Sequence, residues 1–331
     1  MAGARVAPPF FRVFHGSHVM STSAVATMNL RPAPRRHGAR MASILPYLLS
    51  MPALLVCIGI LVPFVTAVYY SMQRYNLAFP SSRRFIWFDN FIALFGSAPF
   101  WHTISISLIY TVLTVGLEML LGLGIALLLW RRTPVTNFLG VALILPLMVA
   151  PEIASLMWKL MTNANFGILS YFVSLLGFPN FKWGSAPESA LFTVVLVDMW
   201  VYTPFISILL LAGLRGLPRQ PFEAAELDGV PSSFVFFRIM LPMLMPYMLT
   251  AGLFRMLDSI QQFDIIYAMT QGGPGDTLVV FQIEAYLQAF TFTNMGRASA
   301  ILVVLWLITY ILSNVFMKNW LRLRERARGR A

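Results

Sequence analysis

An all-α polytopic membrane protein with six transmembrane helices is the fold class this sequence predicts, and three observations predict it. Apolar residues make up 58% of the 331 positions and charged ones only 11%, whereas soluble domains are about a quarter charged. The apolar residues gather in six runs, each near the ~20 residues that a helix needs to cross a bilayer. The cations gather in short clusters beside those runs, as topology signals do. A chain this apolar needs a lipid bilayer, not merely a larger core. The net charge of +11 therefore reads as membrane topology, and no nucleic acid partner is expected.

Taken in order, residues 1–40 are rich in Arg, Pro and small residues and hold His15, His18 and His37. They read as a disordered basic cytoplasmic tail. Phe10–Phe14 is too short for a signal-peptide core, and a lone histidine pair in a polar tail is a solvated pair, so no metal site is expected. A single transmembrane domain follows over 41–320, with spans at 44–71, 102–129, 137–160, 190–212, 243–268 and 297–317. The lone cysteine, Cys57, falls in the first span. It rules out a disulfide framework and reads as a packing residue. Residues 321–331 form a second basic tail.

The connectors set the orientation. Arg35, Arg36 and Arg40 precede the first span, Arg131 and Arg132 separate the second and third, and Arg215, Arg219 and Arg238 lie between the fourth and fifth. Lys318 and a run of arginines follow the sixth. All fall on one side of six spans, which positive residues mark as cytoplasmic. Both termini are then inside. Arg74, Arg83 and Arg84 make the first outer connector an imperfect case.

Charges within spans are costly and mark functional or paired positions. Apart from Arg297 at the edge of the sixth span, these are Glu118, Glu152, Lys159, Asp198, Arg255, Asp258 and Asp264, all on the four central spans. Arg255, Asp258, Ser259 and Gln262 recur at i, i+3, i+4 and i+7 and so share one helix face, with Gln261 beside them. Asp198, Val201, Tyr202 and Phe205 repeat the spacing on the fourth span. In the third, Pro146 and Pro151 precede Glu152 and free carbonyls that only a cavity or polar neighbour can satisfy. At ~1.5 Å per residue, Glu152 and Asp198 lie ~12 Å below the outer surface, Ser259 ~14 Å and Gln262 ~9 Å. Glu118, at ~24 Å, is expected outside this layer, as a structural residue. A polar network that holds helices together, Arg255 with Asp258 and Asp198 with a partner, accounts for the same residues and is compatible with a site.

One of the few long polar interruptions is Glu223–Pro246, EAAELDGVPSSFVFFRIMLPMLMP. Ala224 and Ala225 let another surface approach the backbone, Gly229 permits a turn, and Pro242 suits a first helical turn. Read locally, this is a short helix, a turn, a second short helix and a span. Glu223, Ala224, Ala225, Asp228 and Gly229, followed at fixed spacing by Ile239, Leu241 and Pro242, resemble the EAA loop of permease subunits of binding-protein-dependent ABC importers. The alternative is a plain surface loop. Thr270-Gln271-Gly272-Gly273-Pro274 resembles the TxGGP turn of the same family, and Trp87–Phe91 resembles its GLDNF stretch, although those aromatics also suit interfacial anchoring.

The resemblance covers about residues 44–320 and implies the type I ABC importer permease fold, with 217–242 as the coupling loop that docks on a cytoplasmic ATPase. It implies a bacterial inner-membrane subunit that catalyses nothing and binds no cofactor. ATP and Mg would be used by an ATPase homodimer, alongside a second permease subunit and an extracytoplasmic solute-binding protein. Mapped onto maltose-type permeases, the cargo-contacting positions are Leu147 and Pro151, then Asp198, Val201 and Tyr202, then Arg255, Asp258 and Ser259, with Gln261, Gln262 and Glu152 nearby. Leu147 stands where such permeases often carry an aromatic residue. Carboxylates outnumber cations in this set, which favours a neutral sugar or polyol; Arg255 leaves glycerol 3-phosphate as the alternative cargo. A proton-coupled secondary transporter using the intramembrane acids is the competing class, but it would normally show an internal repeat.

Overall fold

The computed structural model describes residues 39–179 and 181–328, with side-chain surroundings for 49–179 and 181–322. The basic tail expected over 1–40 lies outside the described residues apart from its last two. The chain forms two compact units, up to Ile58 and from Gly59 onward. The boundary falls within α1, Ala39–Ser71. In the first unit Cys57 is a free, exposed thiol.

In the second unit a two-stranded ribbon follows α1. Strand β1 (Gln73–Arg74) pairs antiparallel with β2 (Arg84–Phe85). The Arg83 guanidinium lies 4.8 Å from the ring centroids of both Tyr70 and Tyr75. Helix α2 runs from Asp89 to Phe95, and its Asn90 amide donates to the carbonyls of Ser71 at 2.8 Å and Gln73 at 2.9 Å. Asn90 thus satisfies backbone that the ribbon leaves unpaired, which gives the aromatic-Asp-Asn-aromatic stretch a local structural role.

The centre of the fold is α3 (Ala98–Leu128) packed on α7 (Pro187–Arg215). Both run in the same direction. Gly122 lies on Ile206, and Arg215 Nη2 donates to the Leu129 carbonyl at 2.9 Å. A Cβ at Gly122 would come within 2.6 Å of Ile206 Cγ2, so only glycine allows this approach. Helix α10 (Leu241–Ser259) runs antiparallel to both, with Ser259 against Thr114 and Tyr247 over Gly213. These directions are those of alternating spans two, four and five.

Among the described residues five helices are long and apolar enough to cross a membrane, or six if one bent pair counts as a span. That pair corrects the expectation of one continuous span over 137–160. Helix α4 (Pro134–Ala142), a 3₁₀ turn at Pro146–Met148 and α5 (Pro151–Met161) meet at a 93° bend. Val149 and Ala150 are extended, at ψ 131 and 135; Ala150 precedes Pro151, and a residue that precedes proline avoids the helical region. Helix α6, Ile168–Leu175, lies in the connector that follows.

The span expected over 243–268 is interrupted too. Helix α10 ends at Ser259 in a turn tightened by i+3 bonds, Gln261 N to Asp258 O and Gln262 N to Ser259 O, and α11 begins at Asp264 and ends at Thr270. Gln262 and Asp264 therefore leave the face that a continuous helix would give them. After α11 the chain reverses through Gly272 at φ +91 and Gly275 at φ +65, values that glycine adopts without strain.

The polar interruption forms α8 (Gln220–Leu227), a turn at Gly229 with φ +66, and α9 (Ser232–Phe234). A π-helical stretch, Val235–Met240, then runs straight into α10. The second short helix and the fifth span are thus one continuous element, and Pro242 follows the π stretch rather than opening a separate helix. A proline ring clashes with the carbonyl four residues back, here that of Arg238, and the wider π turn accommodates it. Helices α12 (Phe281–Tyr286) and α13 (Met295–Arg328) complete the fold. Helix α13 continues through most of the expected 321–331 tail.

The α3–α7 contact predicts a sharp contrast between two glycines. Gly122→Ala should lower the melting temperature in detergent, with an overpacking cost of about 1–3 kcal/mol. Gly124→Ala, which meets nothing within 4 Å, should leave it unchanged or slightly raised. Equal melting of both variants would contradict the packing described.

Candidate functional site

Helices α3, α7 and α10 each contribute a charged group at one level, and these meet. Arg255 of α10 is 1% exposed, while Glu118 of α3 and Asp198 of α7 are both at 0%. Arg255 Nε donates to Glu118 Oε2 at 2.7 Å and Nη2 to Glu118 Oε1 at 3.0 Å. The same Nη2 donates to Asp198, and Nη1 donates to Asp258 Oδ2 at 2.8 Å. The Tyr202 ring covers the guanidinium, 4.0 Å from Cζ to the ring centroid. One turn along α10, the Ser259 and Thr114 hydroxyls share a 2.8 Å hydrogen bond. A fork of fixed donors suits this task, since a guanidinium can satisfy two carboxylates in its plane and present its face to an aromatic ring.

This cluster overturns the placement of Glu118. Counting rise along separate spans put it outside the polar layer, but the Arg255 side chain reaches back along its helix and brings Glu118 into the same group. A tally of charges would have shown the need: a cation buried in apolar surroundings requires an anion beside it. Within the cluster each guanidinium nitrogen of Arg255 donates to a carboxylate, and one face is covered by the Tyr202 ring. Asp198 and Val201 are buried as well, the latter within an apolar cluster with Val194, Val197 and Ile265.

Beside the cluster opens a cavity of about 400 Å³. Asp258 and Asp264 give it carboxylates, Gln261, Gln262 and Gln282 give it amides, and Tyr202, Phe263 and Leu257 complete the wall. Asp258 belongs to both features; its side chain is 52% exposed while it pairs with Arg255. Phe263 stacks on Tyr267, with ring centroids 4.8 Å apart. The break after Ser259 makes this cavity, because it turns Gln261, Gln262 and Asp264 out of the α10 face and into one wall.

Of the positions expected to contact cargo, the structure brings Tyr202, Asp258, Gln261 and Gln262 to the cavity and buries Asp198, Val201, Arg255 and Ser259 behind it. Glu152, in the first turn of α5, faces the Asp264 carboxyl. Pro151 opens α5, and Leu147 lies in the 3₁₀ turn that packs on α7; neither lines the cavity. Gln282 was missed. It stands on α12, beyond the Gly-Gly-Pro turn, and no spacing in the sequence relates it to Tyr202 or Gln261.

In the polar interruption, Glu223, Ala224 and Asp228 are exposed and Ala225 is buried. Leu227, at 89% exposure, is an apolar side chain at the end of α8. Ile239 and Leu241 are half-buried, and Pro242 is exposed. On the opposite side of α8 the Phe222 ring packs on Trp130 of the α3 end, with centroids 5.8 Å apart.

The family described as binding-protein-dependent transport system inner membrane component matches residues 118–327. The trehalose/maltose transport system permease protein MalF of Thermococcus litoralis is 32% identical over 83% of this chain and 92% of its own length. The sn-glycerol-3-phosphate transport system permease protein UgpA of Pectobacterium atrosepticum is 31% identical over 81% of this chain and 90% of its own. Among solved structures, a chain from the crystal structure of a bacterial ABC transporter involved in the import of the acidic polysaccharide alginate superposes with a TM-score of 0.73 at 18% identity. The match covers 85% of this chain and 96% of that one, a likeness of fold.

Removing the cation alone should be worse than removing the whole cluster. Arg255→Met leaves Glu118 and Asp198 facing each other unpaired, at a cost of about 3–5 kcal/mol. It should abolish the monodisperse peak of the purified chain on gel filtration in detergent. Adding Glu118→Gln and Asp198→Asn should restore much of that peak. An undiminished peak for Arg255→Met alone would contradict a structural role for the cluster.

Proposed function

Because the chain belongs to the family of binding-protein-dependent transport system inner membrane components, we propose that it carries a neutral sugar or polyol through the cavity beside the Arg255 cluster. The cavity's chemistry carries this reading. Among the described residues that line it are two carboxylates and three amides but no cation. Carboxylates and amides exchange hydrogen bonds with hydroxyl groups, and aromatic rings such as Tyr202 and Phe263 suit the apolar face of a sugar. A phosphate would meet Asp258 and Asp264 with no free guanidinium to offset them.

The energy for transport comes, on this proposal, from an ATPase homodimer that uses ATP and Mg and docks on the α8 segment. Both termini of the chain lie on that cytoplasmic side. A second permease subunit completes the pathway, and an extracytoplasmic binding protein delivers the cargo. The exposed Leu227 with the small Ala224 gives α8 a surface that another protein can cover closely. Phe222 on Trp130 and the short Leu217–Arg219 link tie α8 to the ends of α3 and α7, and the π stretch ties it to α10. These are the three helices joined by Arg255, so displacement of α8 moves them as one body.

Uptake by the complete transporter in proteoliposomes tests the reading. Neutral carbohydrates should compete for uptake and glycerol 3-phosphate should not; the reverse would overturn the neutral-cargo proposal. Uptake should persist when the proton gradient is collapsed with ATP maintained. Gln261→Ala and Gln282→Ala should each slow uptake at saturating binding protein by about threefold to tenfold, the loss of one hydrogen bond, with cargo affinity of the binding protein unchanged.

Gly229→Val forces a β-branched residue into a left-handed turn. It should reduce ATP-driven uptake by at least about tenfold without altering cargo binding to the binding protein. Normal uptake in this variant would remove the α8 turn from the coupling path.

A further inference from the structure

Between α8 and the ends of α3 and α7 lies a second polar pocket, of about 480 Å³, within the size range of small-molecule sites. Arg131 and Arg132 follow the end of α3, Arg215 lies in the last turn of α7, and Arg219 precedes α8; all four line it. Glu223 and Glu226 stand on the same wall, yet among the described residues the ion pairs found are those of Arg255. The four arginines therefore face a common space without a carboxylate partner. Arg215 is held in place by its bond to the Leu129 carbonyl at 2.9 Å, and its Nε is buried without a hydrogen-bond acceptor. Two helix C-termini meet here, and they offset part of the positive charge. That explains Arg215 but not the exposed arginines on either side of it.

We propose that this pocket holds the phosphate of an anionic phospholipid at the membrane surface, beneath the α8 segment. Three features favour a lipid over a free ion. The pocket sits where two membrane spans end, at headgroup depth. Trp130 lines it, the residue type enriched at that depth. Leu214 and Leu217 add an apolar wall beside the cations, as an acyl chain requires. Clustered cations between spans at a membrane surface recognise such headgroups. Because α8 shares the pocket wall through Phe222, a bound headgroup braces α8 against α3 and α7.

The test is native mass spectrometry of the full-length chain in mild detergent, titrated with phosphatidylglycerol or with phosphatidylcholine. Phosphatidylglycerol should be retained preferentially. The triple variant Arg131→Gln, Arg132→Gln, Arg219→Gln should lose that retention by about tenfold or more. A charge-matched control, Arg238→Gln, Lys318→Gln, Arg322→Gln, should keep it. Arg215 is left intact because it joins the α3 and α7 ends. Equal loss in both variants would mean general surface charge, and retention of both lipids alike would mean an acyl-chain contact only; either overturns the proposal. Displacement of the lipid by inorganic phosphate at equal concentration would make this a free-anion site and also overturn it. So would unchanged lipid retention in the pocket variant, including the case in which that variant instead fails to capture an ATPase subunit.

Discussion

One buried cation holds the centre of this protein together. Arg255, 1% exposed, meets Glu118, Asp198 and Asp258 from three helices. Desolvating such a charge is affordable only if every donor finds an acceptor, and in a bilayer no water can stand in for a missing one. The guanidinium therefore dictates where α3, α7 and α10 sit relative to one another. Glycine at Gly122 and Gly213 then lets the helix surfaces close around it.

This arrangement separates two tasks that the sequence presents as one. The polar stripe on α10 reads as a site, yet its deepest members are structural. The cavity begins where the regular helix stops. Irregular backbone at membrane depth is tolerated only where it is buried or lines a polar space, and the turn after Ser259 obeys that rule. The prolines at Pro146 and Pro151 bend the third span beside the cavity, and the turn after Ser259 supplies its wall. The rigid helices and the cavity-lining turn are adjacent but distinct.

Much of the site was legible from particular residues. Arg255, Asp258 and Tyr202 stood out because charge and aromatic residues at helical spacing are conspicuous in apolar runs. Gly229 stood out because a turn there needs positive φ, which it has at +66. Glu118 was misplaced because depth was counted along each span separately, and linear counting ignores the reach of an arginine side chain. Gln262 was assigned to a helix face, and Asp264 to a span, that end before them, since the composition of 255–268 does not change where the helix breaks. Gln282 could not be inferred, for its partners lie on other elements.

The sequence by itself determined the class of protein: a chain that is 58% apolar and 11% charged must place its long runs in lipid, and its EAA and Gly-Gly-Pro patterns identify the turns between them. Those features are local, set by hydrophobicity and backbone conformation, and local signals are readable one segment at a time. The tertiary structure decided which polar residues neutralise one another and which remain free to meet a ligand. That choice depends on distances between helices far apart in the chain, and no periodicity within a single helix encodes it.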